Sequence, residues 1–185
     1  AMLNSPYTGS KSMEMSHSHE LNSWRNIKTA VTGNWDPRTR VSYNHGISVS
    51  SGMLKADAKF TSPFRGYQSI DLDLETQKSG NTFTSKNELK WDGNNKISLT
   101  GSVSLSGYEV QGNLRFTSPY APVERVVINI NNRQQRDIWI THGDLEFAAN
   151  KKIELDTQIG WTKQMKLAID LKSPFTYGTL STDTT

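Results

Sequence analysis

A Ser-Pro-aromatic tripeptide recurs through the chain at a spacing of about 56 residues, and this period constrains the fold more than any other feature. The four prolines of the tripeptides, Pro6, Pro63, Pro119 and Pro174, are 57, 56 and 55 residues apart. A fixed period of this length is typical of an array of similar structural units. The sequence therefore predicts one continuous array with residues 1–2 as a cloning remnant, repeats at 3–59, 60–115 and 116–170, and a truncated fourth repeat at 171–185.

Apolar residues occupy every second position within each repeat. In the middle copy Ile70, Leu72 and Leu74 alternate with Asp71 and Asp73. A period of two indicates β-strands with one apolar and one polar face, and no segment shows the 3.6-residue period of a helix. We predict an all-β fold: an antiparallel up-and-down meander of about twelve amphipathic strands, built from three four-strand repeats. Such a meander either forms a curved one-sided sheet or closes into a sandwich or barrel.

Turn residues separate the strand segments. Asp92-Gly93-Asn94-Asn95 and Ser106-Gly107 are tight-turn sequences, because Gly and Asn accept a positive φ. The flanking copies have Trp35-Asp36-Pro37 and Ala149-Asn150-Lys151 at the position of the first turn. Proline cannot donate a hydrogen bond to a strand ladder, so each Ser-Pro is expected at a boundary between strands.

The apolar positions of successive strands align into one stripe. We predict that this stripe is either an ordinary packed core, in which the aromatic residues have the default role of filling space, or a surface that faces lipid or lines a ligand cavity. Its members are Met13, Met15, Trp35, Val41, Tyr43, Ile70, Leu72, Leu74, Phe83, Leu89, Trp91, Ile97, Leu99, Val103, Leu105, Val110, Leu114, Phe116, Ile128, Ile130, Trp139, Phe147, Ile153, Leu155, Ile159 and Trp161.

The composition limits the classes of function. Cysteine is absent from the 185 residues, which excludes disulfides, thiolate metal sites and a thiol nucleophile. The 21 basic and 18 acidic residues are interspersed along the polar strand faces, which indicates a solvated surface. Nucleic-acid binding requires a basic stripe with aromatic residues on the same face, and here the two lie on opposite faces. The sequence also lacks the run of about 18 apolar residues that a transmembrane span requires.

Two groups of reactive side chains have alternative interpretations. His17 and His19 have the spacing of two metal ligands on one strand face, but they fall on the apolar stripe with no carboxylate predicted beside them. A pH response is a further interpretation of this pair. Asp71, Asp73 and Glu75 resemble an acidic catalytic or calcium cluster, although an exposed strand face produces the same spacing. No nucleophile motif or phosphate-binding loop accompanies them, so we predict a chain that is not an enzyme and that uses no cofactor.

The short sequences that separate groups of strands in the array resemble those of a known family. Thr61-Ser62-Pro63-Phe64-Arg65-Gly66-Tyr67, set between amphipathic strands, is similar to the β-rich repeat regions of the large lipid transfer proteins, which include apolipophorins, vitellogenin-related proteins and apolipoprotein B. The similarity extends from Leu3 to Phe175. The third copy departs from it at Ala121-Pro122-Val123, and the first at Thr8-Gly9-Ser10.

This resemblance implies an extracellular, secreted protein whose apolar strand faces carry lipid. The expected function is a lipid-binding segment of a large lipoprotein-like protein, with acyl chains and the neighbouring repeats as partners and no selectivity for the lipid head group. The alternative is a structural or adhesive β-repeat module whose apolar faces close on each other and bind no ligand.

Overall fold

The computed structural model describes residues 2–3, 13–23, 25–36, 39–66, 68–121, 123–147, 151–161, 165–175 and 180–184, and every helix or strand in this part of the chain is a β-strand. Among these residues no helix has the length and apolar character of a membrane span. The strands are β1 (Met2–Leu3), β2 (Met13–Ser23), β3 (Asn26–Asp36), β4 (Thr39–Ser50), β5 (Met53–Thr61), β6 (Ser69–Ser79), β7 (Thr82–Trp91), β8 (Asn95–Ser106), β9 (Glu109–Thr117), β10 (Arg125–Gln135), β11 (Ile138–Phe147), β12 (Lys151–Trp161), β13 (Met165–Lys172) and β14 (Leu180–Thr184).

The strands follow one another in the sheet in the same order as in the chain, and the order runs from β1 to β14 without closing. The described strand pairs are antiparallel, as between β4 and β5 and between β10 and β11. Strands β2 to β13 contain 8 to 12 residues each, whereas β1 and β14 have 2 and 5. The predicted antiparallel meander of about twelve strands is therefore confirmed. The division into three repeats, with its boundaries, stays a prediction.

The chain divides into two compact units. Unit 1 comprises Ala1–Gln77 with Lys86–Ile97, and unit 2 comprises Lys78–Ser85 with Ser98–Thr185. The registered strand pairs of unit 1 involve β1 to β6, and those of unit 2 involve β8 to β14. The cross-strand partners described below belong to one unit in each case.

Tight turns join consecutive strands where glycine or an equivalent residue adopts a positive φ. Asp92 and Gly93 have φ values of 45° and 83°, and Gly107 has 59°, so both turns predicted in the middle copy are confirmed. The turn predicted from Trp35 begins later, because β3 continues through Asp36. Pro37, Ala149 and Asn150 lie outside the described residues.

Longer loops with a recurring internal geometry contain the Ser-Pro-aromatic sequences. In the loops 62–68 and 118–124 the first residue donates its backbone N–H to the carbonyl of the last, at 3.0 Å in both. The serine hydroxyl of each described copy accepts the backbone N–H of the aromatic residue two positions later, at 3.2, 3.1 and 3.2 Å in turn: Ser62 with Phe64, Ser118 with Tyr120, and Ser173 with Phe175. The same serine–aromatic contact thus surrounds Pro63, Pro119 and Pro174, and Pro6 is outside the described residues.

Backbone contacts of the turns also recur at the sequence period. Val49 of β4 donates its N–H to the carbonyl of Arg25, and Leu105 of β8 donates to the carbonyl of Asn81. The second contact lies 56 residues after the first at both ends. The same local structure therefore occurs once in unit 1 and once in unit 2.

One turn provides a test of backbone strain. Arg136, between β10 and β11, has a φ of 56° although it is not glycine, a conformation that costs an L-residue about 1 kcal/mol or more. We expect Arg136→Gly to raise the free energy of unfolding by about 0.5–1 kcal/mol in urea titrations. Arg133→Gly, in the extended part of β10, is the matched control and is expected to lower it by a similar amount. Destabilisation of equal size in both variants would contradict the assigned turn.

Candidate functional site

The strand register gathers the apolar side chains of unit 1 on one face. Directly opposed residues of an antiparallel pair point to the same side, and the row that starts at Val31 continues through Tyr43, Phe60 and Ile70. We call this side the apolar face of unit 1. Its members with described side chains in the paired strands are Met15, His17, His19, Leu21, Ile27, Thr29, Val31, Gly33, Val41, Tyr43, His45, Ile47, Val49, Leu54, Ala56, Ala58, Phe60, Ile70, Leu72, Leu74 and Thr76.

Unit 2 has an apolar face built by the same rule. One row runs from Leu114 through Ile128, Leu145 and Ile153. The hydrophobic and glycine members of this face with described side chains are Leu99, Gly101, Val103, Leu105, Val110, Gly112, Leu114, Phe116, Val126, Ile128, Ile130, Trp139, Gly143, Leu145, Phe147, Ile153, Leu155, Ile159, Leu167, Ile169 and Leu171.

Most of the predicted stripe lies on these two faces. Phe83, Leu89 and Trp91 occupy alternate positions of β7, and Ile97 precedes Leu99 by two residues in β8. The backbones of Met13, Trp35 and Trp161 lie in strands, and their side chains are outside what the structure describes. The sequence interpretation did not single out Val127, which lies on the polar face and pairs with Arg115 and Glu146.

Both apolar faces are open to solvent. Val127, at 8% exposure, is the only hydrophobic residue classed as buried in the described part of the chain, and no side chain there falls below 2%. On the apolar faces Met15 is 52% exposed, Ile130 47% and Leu155 40%. The closed core that a sandwich or barrel requires is therefore not found among the described residues.

Neighbouring side chains on the apolar face pack laterally within one layer. A Cβ atom on Gly112 would lie 3.1 Å from Cγ2 of Ile130, so the isoleucine fills the space above the glycine. At the ends of the strands, the ring of Tyr108 meets Trp139 edge-on at 5.9 Å, and Phe175 stacks on Phe147 at 6.1 Å. These contacts cover part of each side chain and leave the outer surface of the face free.

The polar face of unit 1 is a lattice of ion pairs across the strands. Glu75 pairs with Lys55 at 3.2 Å and Asp71 with Lys59 at 3.5 Å, and Lys90 lies 3.6 Å from Asp73. Each member of the predicted carboxylate cluster therefore has a lysine partner, and the side chains of these pairs are about one-third or more exposed. This is the arrangement of a solvated strand face.

Glu88 is the most enclosed carboxylate of this lattice. Its side chain is 11% exposed, and it contacts Lys96 at 2.7 Å, Lys90 at 3.1 Å and Lys86 at 3.7 Å. The hydrogen bond from Lys96 is the main cause that lowers the pKa of Glu88 from its ordinary 4.5 to about 2, against the opposing effect of desolvation. Through the same contacts, Glu88 raises the pKa of Lys90.

Unit 2 has a comparable polar ladder. Asn129 donates from its amide to the carboxylate of Asp144 at 2.9 Å, and Asp156 contacts the ring of His142 at 2.6 Å. Glu154 lies 2.6 Å from Lys152, whose hydrogen bond lowers the pKa of the Glu154 carboxyl. The polar faces of both units thus contain pairs of opposite charges on neighbouring residues and strands.

The predicted histidine pair lies on the apolar face. The rings of His17 and His19 are parallel to within 6°, with centroids 6.5 Å apart, and Nδ1 of His19 is 2.9 Å from the hydroxyl of Thr29. In the described part of the chain, no group of three His, Asp or Glu side chains is arranged to hold a metal ion. The sequence interpretation missed His45, which the register places beside Thr29.

The fold and these surfaces define an all-β protein whose strands follow one order in the sheet. Each unit has an apolar face and a polar face on opposite sides of its strands. Comparison of the chain with protein-family models, with curated proteins and with solved structures finds no significant match.

The lattice around Glu88 predicts a pH dependence of stability. A carboxyl whose pKa is lowered on folding contributes stability that is present above its unfolded pKa and is lost as the pH falls through its folded value. We expect the free energy of unfolding to drop between about pH 4.5 and about pH 2, and to drop less in Glu88→Gln. Denaturant titrations across this range provide the measurement. Glu109→Gln is the control, and an identical pH profile for wild type and Glu88→Gln would contradict the assignment.

Proposed function

We propose that the chain binds lipid, by adsorbing through its apolar faces to the surface of an oil droplet or a phospholipid layer. The observation that carries this proposal is the exposure of these faces opposite a polar face of paired charges. Soluble proteins rarely leave contiguous apolar surfaces of this kind open to water unless the surface meets a partner. The lipid-carrying, secreted lipoprotein segment expected from the family resemblance belongs to the same proposal.

The energy available from adsorption is substantial. Fully burying a large aliphatic side chain contributes about 1.5–3 kcal/mol, so covering the exposed 40% or so contributes about 1 kcal/mol. The large apolar-face residues with the highest exposures are Met15, Leu21, Tyr43, Ile47, Leu54 and Leu74 in unit 1, and Leu99, Val103, Leu105, Leu114, Ile128, Ile130 and Leu155 in unit 2. Covering this set supplies on the order of 10 kcal/mol before the cost of association.

An open sheet face matches a lipid surface in a second respect. Within the sheet, the strands satisfy backbone donors and acceptors through their neighbours, so the ladder presents no unpaired backbone groups to the acyl chains. Strands at the ends of the order are the exception, because an edge strand keeps one unpaired side. The hydrocarbon part of an acyl chain has no hydrogen-bonding groups, and contact with it does not involve the head group. Adsorption through the apolar faces is therefore expected not to select a head group.

The test is flotation with neutral phosphatidylcholine liposomes and with a phosphatidylcholine-coated oil emulsion, at low salt and at about 1 M salt. Apolar burial is not screened by salt, whereas attraction between exposed charges fades beyond about 10 Å already at 0.1 M. We expect the wild-type chain to float under both conditions. A folded sample that floats in neither would favour the structural or adhesive module, and flotation at low salt alone would point to electrostatic adsorption.

A pair of adjacent substitutions separates the two faces. Ile130 lies on the apolar face at 47% exposure, and the exposed Asn131 lies on the polar face opposite Gln111 and His142. Transfer of an aspartate into lipid costs about 3 kcal/mol, so Ile130→Asp is expected to weaken flotation roughly 100-fold. Asn131→Asp introduces the same charge and is expected to float like wild type. Equal flotation of both folded variants would exclude the apolar face of unit 2 as the contact surface.

A further inference from the structure

We infer that acidification weakens the lipid contact of unit 1 through three histidines on its apolar face. This inference rests on the proposed lipid binding and concerns its regulation. The chain has four histidines, and three of them, His17, His19 and His45, lie on the apolar face of unit 1. The fourth, His142, is on the polar face of unit 2, where it contacts Asp156.

The three imidazoles form one polar cluster within the apolar surface. The register places Thr29 of β3 directly between His19 of β2 and His45 of β4. Nδ1 of His19 is 2.9 Å from the Thr29 hydroxyl, and His17 stacks beside His19. Nδ1 of His45 is buried without a hydrogen-bond partner, and its ring lies 5.4 Å from that of Tyr43.

Among the side chains that the structure describes on β2 to β6, no carboxylate lies on the same face as this cluster to compensate a positive charge. On the neighbouring strands, the same face carries Val31, Tyr43, Ile47 and Ala58, of which only Tyr43 titrates. The acidic and basic residues of these registered pairs whose side chains the structure describes lie on the opposite side of the sheet: Glu14, Glu20, Lys28, Arg40, Lys55, Asp57, Lys59, Asp71, Asp73 and Glu75. A proton taken up by the cluster therefore appears as an unpaired charge within the proposed contact surface.

The direction of the effect follows from desolvation. Histidine is the side chain whose charge changes between about pH 5 and pH 8, and a neutral imidazole enters an apolar environment far more readily than a charged one. A lipid-covered histidine must release its proton, so lipid-bound protein carries fewer protons than free protein. By linkage, affinity falls with decreasing pH, by up to about tenfold per pH unit for each covered histidine in the range where the free side chain is charged.

The experiment measures flotation with zwitterionic phosphatidylcholine liposomes, whose charge is constant over the range, at about pH 7.5 and about pH 5. We expect wild-type affinity to be at least tenfold lower at the acidic pH, with unchanged circular dichroism. The variant His17→Gln/His19→Gln/His45→Gln is expected to float with similar affinity at both values. His142→Gln is the matched control and should retain the wild-type pH dependence.

The outcomes separate this inference from the function on which it rests. Equal wild-type flotation at both pH values would overturn the histidine mechanism and leave lipid binding standing. Absence of flotation at both would count against lipid binding itself. Retained pH dependence in the triple variant would also overturn the inference. If that variant does not fold, His17→Gln/His19→Gln, which alters only exposed side chains, should show a shallower pH dependence than wild type, and an unchanged slope would count against the inference.

Discussion

The register of the antiparallel strands is the constraint on which the rest of this structure depends. Because side chains alternate, a slip of one residue between two strands would transfer every apolar side chain of one strand to the polar side. Tight turns such as Asp92-Gly93 limit this slip, and the loops that begin at Ser62 and Ser118 are closed by their own backbone hydrogen bonds. Backbone geometry at the strand ends therefore determines which side chains lie on the apolar face and which on the polar face.

A sheet of this kind obtains its stability differently from a domain with an enclosed core. Backbone ladders, lateral contacts such as that between Ile130 and Gly112, and ion pairs such as Lys55–Glu75 lie within a layer one strand thick. Exposed ion pairs contribute little individually, typically below about 1 kcal/mol. A partner that covers the apolar face would add the hydrophobic stabilisation that an enclosed core supplies in other domains. Lipid binding is therefore expected to raise the free energy of unfolding.

The sequence predicted the strands and the faces, because both follow from local patterns. The alternation at Ile70, Leu72 and Leu74 fixes which residues share a face, and Gly107 marks its turn. Whether the apolar faces close on each other is a matter of long-range packing, and the binary pattern is the same in either arrangement. The alternation therefore left the sandwich open as an alternative, and exposures such as 52% at Met15 were required to decide against an enclosed core in the described residues.

Other features were missed because they depend on which residues become neighbours across strands. Glu88 and Lys96 meet across the turn between β7 and β8, whereas His19 and His45 become neighbours only through Thr29 of the intervening strand. The sequence does contain a signal for the pairing of the histidines. Counting residues outward from each turn gives the strand register, and the register shows which residues of successive strands lie side by side. The hydroxyl pair of Ser42 and Thr61, repeated at Ser98 and Thr117, is recoverable from the 56-residue period in the same way.

The two faces respond to different solution conditions. The polar faces carry exposed ion pairs such as that of Glu154 and Lys152, so changes in salt act mainly on contacts within those faces. Among the described side chains in the registered pairs of β2 to β6, the apolar face of unit 1 carries no carboxylate, lysine or arginine, and the imidazoles and Tyr43 are its titratable groups. Salt is thus expected to have little influence on the contact surface of unit 1, whereas mild acid places charge directly within it.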